Sequence, residues 1–422
     1  MNNAGSQKAW ISSAKLALAV LAFINLFNYL DRYLVSALVE RLKHSELALT
    51  DTQLGWLMTG FLMVFAATAP IFGLLGDRVS RPRLIAFGVG FWSLATALSG
   101  LAGNFFALFA ARASVGIGEA AYITVGPSLL SDYFPRSQRG RVMAIFFCAI
   151  PVGSALGYVV GGLMGAHFGW RAAFFVAGAP GLLLALLCLG LRDPPRGSQD
   201  EDSEGAAVQA TKGGSWTTYL ELVKNKPYAL TILGYAAYTF AMGGLAFWMP
   251  AFLERMRGVP AEEATVSFGT IVVITGFAGT FAGGWLGDFC AQYSRRAYLW
   301  ISAIATLIAA PFAWVALTSP SRSVYLVSMV IAQLLMFLST GPINASIVNL
   351  VLPTQRASAN ALGVLSIHVL GDVPSPALIG MVSDRSSLLE AVKIVPAAIL
   401  VAAVIWGFSA LALPKGPKDP AA

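Results

Sequence analysis

An aspartate and an arginine stand side by side in Phe27-Asn28-Tyr29-Leu30-Asp31-Arg32, inside a run that otherwise reads as a membrane-spanning helix. A charged side chain at bilayer depth costs about 2.5–3.5 kcal/mol even on a lenient insertion scale, so it persists where it faces a protein-lined cavity and finds a partner. A second polar set lies in Arg112-Ala113-Ser114-Val115-Gly116-Ile117-Gly118-Glu119-Ala120-Ala121-Tyr122. Arg112, Gly116 and Glu119 are spaced to share one helix face. Asp31 lies roughly 10 Å below the outer end of its helix, and Arg112, on a helix running the opposite way from about Asn104, falls at nearly the same depth. An Asp31–Arg112 pair is expected, with Arg32 a competing or additional partner and Glu119 near mid-membrane. Burial favours the neutral carboxyl and a neighbouring arginine favours the charged one, so a ligand that engages the arginine leaves the carboxylate to take a proton. That chemistry is proton coupling through Asp31, Arg112 and Glu119. A static ion pair between two helices is the plainer reading. Asn25, Asn28, Tyr29 and Arg32 share a face, which suits the lining of a cavity.

The later part of the chain is poorer in charge. Asp372 is the acid expected in a helix interior there, in Ser366-Ile367-His368-Val369-Leu370-Gly371-Asp372-Val373-Pro374-Ser375-Pro376. Two prolines loosen that helix and free backbone carbonyls. His368 is a candidate proton relay, with hydrogen-bonded packing the commoner role for a lone histidine.

The elements that must position these residues follow from composition. The chain is 57% hydrophobic and 12% charged over 422 residues, with a mean hydropathy of +0.70. Soluble domains carry about 25% charged residues. Apolar runs near the ~20 residues needed to cross a bilayer number about twelve. Six lie near Leu16–Leu38, Leu54–Leu75, Leu84–Ala102, Phe105–Tyr133, Val142–Ala166 and Ala172–Leu191. Six more lie near Tyr228–Leu253, Val266–Leu286, Ala297–Leu317, Val324–Leu352, Ala359–Val382 and Leu389–Leu413. The expected fold is an all-α integral membrane protein of twelve transmembrane helices in two pseudo-symmetric six-helix halves. Residues 1–191 form the first half and 226–422 the second. Residues 192–225, with the acidic Asp200-Glu201-Asp202-Ser203-Glu204, read as a cytoplasmic linker too polar to fold alone. The first span is too long for a cleavable signal peptide and is expected to stay in the mature protein.

Setting aside Arg32 and Arg112, the 28 lysines and arginines divide eighteen to eight between alternate loops and helix ends, counted with both termini inside. The positive-inside rule then places both termini in the cytoplasm, and topology explains the net charge of +7 without a nucleic-acid partner. Cys148, Cys188 and Cys290 fall at scattered depths, so neither a disulfide framework nor a metal site is suggested. No cofactor is expected. His44, His167 and His368 are dispersed, and no H-E-x-x-H or G-x-x-x-x-G-K-[ST] motif occurs, which disfavours a membrane-embedded enzyme and ATP-driven transport.

An internal repeat supports the duplication. Gly73-Leu74-Leu75-Gly76-Asp77 and Gly284-Trp285-Leu286-Gly287-Asp288 are 211 residues apart, half of 422. Pro135-Arg136-Ser137-Gln138-Arg139 is echoed by Pro353-Thr354-Gln355-Arg356. Parallel halves of this kind place a substrate site at their interface near the midplane, with rocking giving alternating access. Gly153, Gly157 and Gly161, and Gly279 and Gly283, permit close helix approach.

At these residues the chain resembles the major facilitator superfamily along nearly its whole length. Gly73 through Arg83 is similar to the family's loop motif between the second and third helices, with Ser80 where glycine is usual and Pro82 in the basic tail. The resemblance implies an inner gate at Asp77, Arg78 and Arg81, with Asp288 as the counterpart of Asp77. Within the superfamily the chain resembles the spinster family. The resemblance lies in Asn28-Tyr29-Leu30-Asp31-Arg32, Gly116-Ile117-Gly118-Glu119-Ala120, Ala149 through Tyr158, Gly244 through Pro250, and His368 through Pro376 with Ile379-Gly380 and Ser383-Asp384. It implies proton-driven transport of lysophospholipids, sphingosine phosphates or similar amphiphiles. On that footing Asn28, Tyr29, Arg32 and Arg112 would meet an anionic head. Tyr122, Tyr235, Tyr238, Phe240, Phe247 and Trp248 would line a pocket for the tail, with Asn344, His368 and Asp372 contributing from the second half. For any one of these aromatics, core or lipid-facing packing is an equal reading. A proton-coupled transporter of polar organic anions or drugs in the same superfamily is the alternative, disfavoured by the few polar residues expected in helices seven, ten and eleven. The expected setting is a bacterial inner membrane, the chain acting as a monomer on a small-molecule substrate and protons among membrane lipids.

Overall fold

The computed structural model describes residues 13–196, 198–199, 216–352 and 355–414. In lipid each backbone polar group must be satisfied within its own segment, so long apolar runs become helices. Those of the first part are α1 (Ala14–Ala37), α2 (Val39–Lys43), α3 (Asp51–Arg78), α4 (Arg81–Ser99), α5 (Phe105–Tyr133), α6 (Arg136–His167) and α7 (Trp170–Leu189). There follow α8 (Trp216–Lys224), α9 (Lys226–Arg257), α10 (Ala261–Ala291), α11 (Ala297–Thr318), α12 (Arg322–Asn349) and α13 (Arg356–Ile367). A π-helical turn at His368–Asp372 leads into α14 (Pro374–Arg385), α15 (Leu388–Val392) and α16 (Ile394–Ala412).

Eleven segments among the described residues are long and apolar enough to cross a membrane. The remaining expected span is α4, whose first turn is diluted by Arg81, Pro82 and Arg83. The eleventh expected span, near Ala359–Val382, is not one regular α-helix. It widens at the π turn, where the Val373 N–H donates to the His368 carbonyl five residues back at 3.1 Å. Pro374 and Pro376 remove the donors that would have continued the regular ladder.

The chain divides into two compact units, Met1–Arg41 with Gly60–Thr211, and Leu42–Thr59 with Lys212–Ala422. In the first, α1 packs on α6 and α7, and α4 packs on α5 and α7. The α6 glycines make the first contact possible. A Cβ on Gly157 would lie 2.5 Å from the Leu30 carbonyl oxygen, and Gly153 meets the Leu26 carbonyl in the same way. The α1 backbone beside Asp31 is therefore set by residues without side chains, as in other close membrane helix pairs. Gly157→Val should lower the thermal stability of the purified protein by about 1–3 kcal/mol through overpacking. Gly90→Ala is the matched control, because its new Cβ would meet Ala185 at an ordinary 3.6 Å, and it should be neutral or mildly stabilising. An unchanged melting temperature in Gly157→Val would show that α1 and α6 can part without cost.

In the second unit α9 packs on α16 and on the π turn, α11 on α12 and α16, and α10 on α12. Gly279 and Gly283 bring α10 against the Leu334 and Leu338 carbonyls of α12. Buried polar side chains tie the helices to one another. Trp406 donates to the Thr231 carbonyl at 3.1 Å, and Tyr228 donates to the Ala359 carbonyl at 2.7 Å.

Candidate transport site and the family

Two ion pairs cross from α1 to α5 in the first unit. Arg112 donates from Nη1 to both carboxylate oxygens of Asp31, at 3.1 and 3.2 Å, with each residue only 1% exposed. The pair expected from helix depth is formed. Arg32 does not share it: its Nη2 donates to Oε2 of Glu119 at 2.8 Å. The α1 helix thus presents consecutive charges of opposite sign to complementary charges two turns apart on α5.

Aromatic rings from three helices surround the guanidinium groups. Arg32 sits 5.0 Å from the Tyr29 ring centre, 5.2 Å from Phe61 and 5.3 Å from Phe65. Arg112 sits 5.9 Å from Phe61 and 5.8 Å from Phe174. Phe61, on α3, therefore faces both cations. Gly116 lets α3 come this near, since a Cβ there would lie 2.5 Å from the Phe61 carbonyl oxygen. Cation–π contacts of this kind stabilise a desolvated guanidinium by about 2 kcal/mol.

The polar groups are incompletely used. Among the described residues neither polar side-chain atom of Asn28 has a hydrogen-bond partner, nor do Oε1 of Glu119 and Nε of Arg32 and Arg112. Asn28 and Glu119 are both 0% exposed. A buried polar group left unpaired costs about 1–3 kcal/mol. Five such atoms lie around the two ion pairs. Asn25 is instead committed to packing, donating to the Phe146 carbonyl on α6 at 2.9 Å.

The remaining expected residues are distributed as follows. Tyr122 is fully buried, donates to the Leu21 carbonyl at 2.6 Å and stacks edgewise on Trp92, so the structure places it in the core of the first unit. Trp248 is equally buried and donates to the Pro376 carbonyl at 3.0 Å. Tyr238 donates to the Met336 carbonyl at 2.8 Å and is buried, whereas Phe240 is half-buried. Asn344 is exposed and reaches the Thr340 carbonyl and, at 3.4 Å, the Tyr235 hydroxyl. His368 Nδ1 lies 2.9 and 3.0 Å from the Asp372 carboxylate, with both side chains partly exposed. Thr239 donates to the Ile367 carbonyl at 3.1 Å and braces the start of the π turn. Such turns recur at functional sites.

Of the expected gate residues, the side chain of Asp77 lies outside the described residues. Arg78 is exposed on the last turn of α3, and Asp288 is exposed and accepts from the Tyr298 hydroxyl at 2.9 Å. Arg81 is 2% exposed. It donates to Asp193 at 2.9 Å and to the Pro194 carbonyl at 2.6 Å, and pairs with Asp132. The residues just past α7 are thereby bound to the start of α4 and the end of α5. The sequence held a signal for this in the acid of Arg192-Asp193-Pro194-Pro195-Arg196, read there only as polar linker.

Of a second ionic cluster the sequence reading reached only Ser383-Asp384. Asp51, first residue of α3 and grouped with the second unit, has a side chain 2% exposed. It receives Arg255 Nη1 and Nη2 at 2.6 and 3.0 Å, Lys43 Nζ at 2.6 Å and the Ser383 hydroxyl at 2.5 Å. Asp384 accepts the Asp51 and Thr52 backbone N–H groups at 2.9 and 2.8 Å, adding to a local capping box in which Thr50 Oγ1 accepts from the Gln53 N–H and Gln53 Oε1 from the Thr50 N–H.

Residues 21–376 match the family model described as the Major Facilitator Superfamily. The chain is 34% identical to human protein spinster homolog 1 over 388 residues, covering 88% of this chain and 73% of the relative. It is 35% identical to protein spinster homolog 3 of Danio rerio over 390 residues, covering 88% and 77%. The chain belongs to the spinster family of the major facilitator superfamily. A solved structure has the same fold: a bacterial homolog to the human lysosomal transporter spinster, described as inward-facing and unoccupied. It matches with a TM-score of 0.87 at 23% identity, over 95% of this chain and 98% of that one. The protein is thus a multi-pass membrane transporter of the spinster type, and its paired charges on α1 and α5 are to be read in that setting.

Proposed function

We propose that this spinster-family transporter couples proton movement to the passage of a lysophospholipid, sphingoid phosphate or similar amphiphile by alternating access of its two halves. The observation that carries the reading is the Arg32–Glu119 pair, desolvated among Tyr29, Phe61 and Phe65 beside an unpartnered Asn28. A phosphate head drawn to Arg32 competes with Glu119 for the guanidinium, whose planar fork suits phosphate. Glu119, losing its counter-charge in a dry site, then takes a proton. Asp31 holds Arg112 at the next level, so that the two carboxylates respond together. The aromatic rings around Arg32 favour an apolar tail over a fully hydrated anion. In this reading Asp77, Arg78 and Arg81 belong to an inner gate, and both termini lie in the cytoplasm of a bacterial cell.

Substrate class is tested with sealed proteoliposomes given labelled lysophosphatidylcholine, sphingosine phosphate, and polar carboxylates or sugar acids. Uptake of the amphiphiles above protein-free vesicles, lowered at least tenfold in Arg32→Gln, is the expected result. Uptake of the polar anions alone would replace the amphiphile by an organic anion.

A further inference from the structure

A cavity of about 550 Å³ opens within the second unit, at the end of α10 and the start of α11, lined by residues that the transport reading does not use. One wall is apolar, formed by Leu299, Leu350 and Leu413. The other carries Ser294, Arg295 and Asn349. Arg295 and Asn349 are exposed at the rim. Ser346 also lines the cavity, is 3% exposed, and its hydroxyl has no hydrogen-bond partner among the described residues. Arg296, beside Arg295, donates to the Leu413 carbonyl and so joins the start of α11 to the end of α16. The polar groups are hydroxyl, amide and guanidinium donors gathered against leucine. Asp288 is the nearby acid, and the hydroxyl of Tyr298, a cavity residue, is directed to it.

We propose that this cavity is a binding site for the phosphate-bearing headgroup of a membrane glycerophospholipid. Arg295 meets the phosphate, Ser294 and Asn349 donate to its ester and free oxygens, and the glycerol and first chain carbons lie on the leucines. A basic recess at the membrane interface is where such headgroups gain electrostatically. The outward face of the same helix, α10, carries Phe281, Trp285 and Phe289, exposed by 72, 69 and 47%, as a lipid-facing helix should. The site would take a resident lipid, distinct from the transported amphiphile near α1 and α5, and it stands whether or not the protein moves protons.

The test is thermal unfolding of the purified full chain in detergent, titrated with short-chain phosphatidylglycerol, phosphatidylethanolamine or inorganic phosphate. A saturable rise in melting temperature with either lipid and none with phosphate is expected. Arg295→Gln and, independently, Asn349→Trp, which narrows the rim without removing charge, should raise the half-saturating lipid concentration at least fivefold. An equal rise with inorganic phosphate would assign the cavity to a free anion and overturn the lipid. An unchanged lipid response in both variants would overturn the site. Arg32→Gln, altering the transport site, should leave the lipid titration as in wild type, and a loss there would place the lipid at α1 and α5 instead.

Discussion

Asp31→Asn is expected to abolish proton movement during transport and to destabilise the folded protein. Both effects come from one ion pair. Arg112 has the Asp31 carboxylate as its counter-charge at 3.1 Å, and both residues are 1% exposed. Removing one partner of a buried ion pair leaves the other charge unpaired, which costs about 3–5 kcal/mol. The amide keeps the shape and can accept one hydrogen bond, so the loss should fall at the lower end of that range. Glu119, the neighbouring acid, is held by Arg32 at 2.8 Å and is not free to compensate. Glu119→Gln should likewise stop proton movement, but with a smaller loss of stability, because the Arg32 side chain it leaves without a counter-charge is 11% exposed against 1% for Arg112. A thermal-unfolding comparison with a pH-sensitive dye assay separates the two contributions. If Asp31→Asn moves protons at the wild-type rate, the Asp31–Arg112 pair is structural only.

The second large effect is expected at Asp51. Four donors converge on its carboxylate, from Lys43, both terminal guanidinium nitrogens of Arg255, and Ser383. Asp51→Ala removes this carboxylate from Arg255, whose side chain is 20% exposed, and should cost about 3 kcal/mol, toward the low end for a broken buried pair because the arginine retains some solvent. Asp384→Ala removes a helix-terminal acceptor and should cost about 1 kcal/mol. A double-mutant cycle with Arg255→Ala should return a coupling of at least 1 kcal/mol between residues 51 and 255. Additive losses would mean that the cluster contributes no mutual stabilisation.

The contrast between these two clusters shows what a sequence can disclose. The depth of Asp31 and Arg112 follows from a constant rise per residue along opposed helices, so their meeting was legible. That Arg32 turns to Glu119 depends on the rotation of α1 about its axis, which is set by Gly153 and Gly157 admitting α6 against Leu26 and Leu30. Asp51 gave little local signal, because apart from Lys43 its partners lie 204 and 332 residues away. The prolines of Pro374-Ser375-Pro376 announced an irregular helix, and the π turn stands where they end its regular bonding. Aromatic type alone did not separate Tyr122 and Trp248, whose polar atoms are committed to the Leu21 and Pro376 carbonyls, from Tyr29, which lies beside Arg32. Burial and a hydrogen-bond partner separate them.

Coupling between substrate and proton is the centre of the account. It is tested most directly by recording the internal pH of sealed proteoliposomes while lysophosphatidylcholine or sphingosine phosphate is added to wild-type protein. The expected result is a pH change that requires substrate, saturates with it, and disappears in Glu119→Gln. Substrate uptake with no accompanying pH change would contradict the coupling and reduce both ion pairs to fixed struts between α1 and α5.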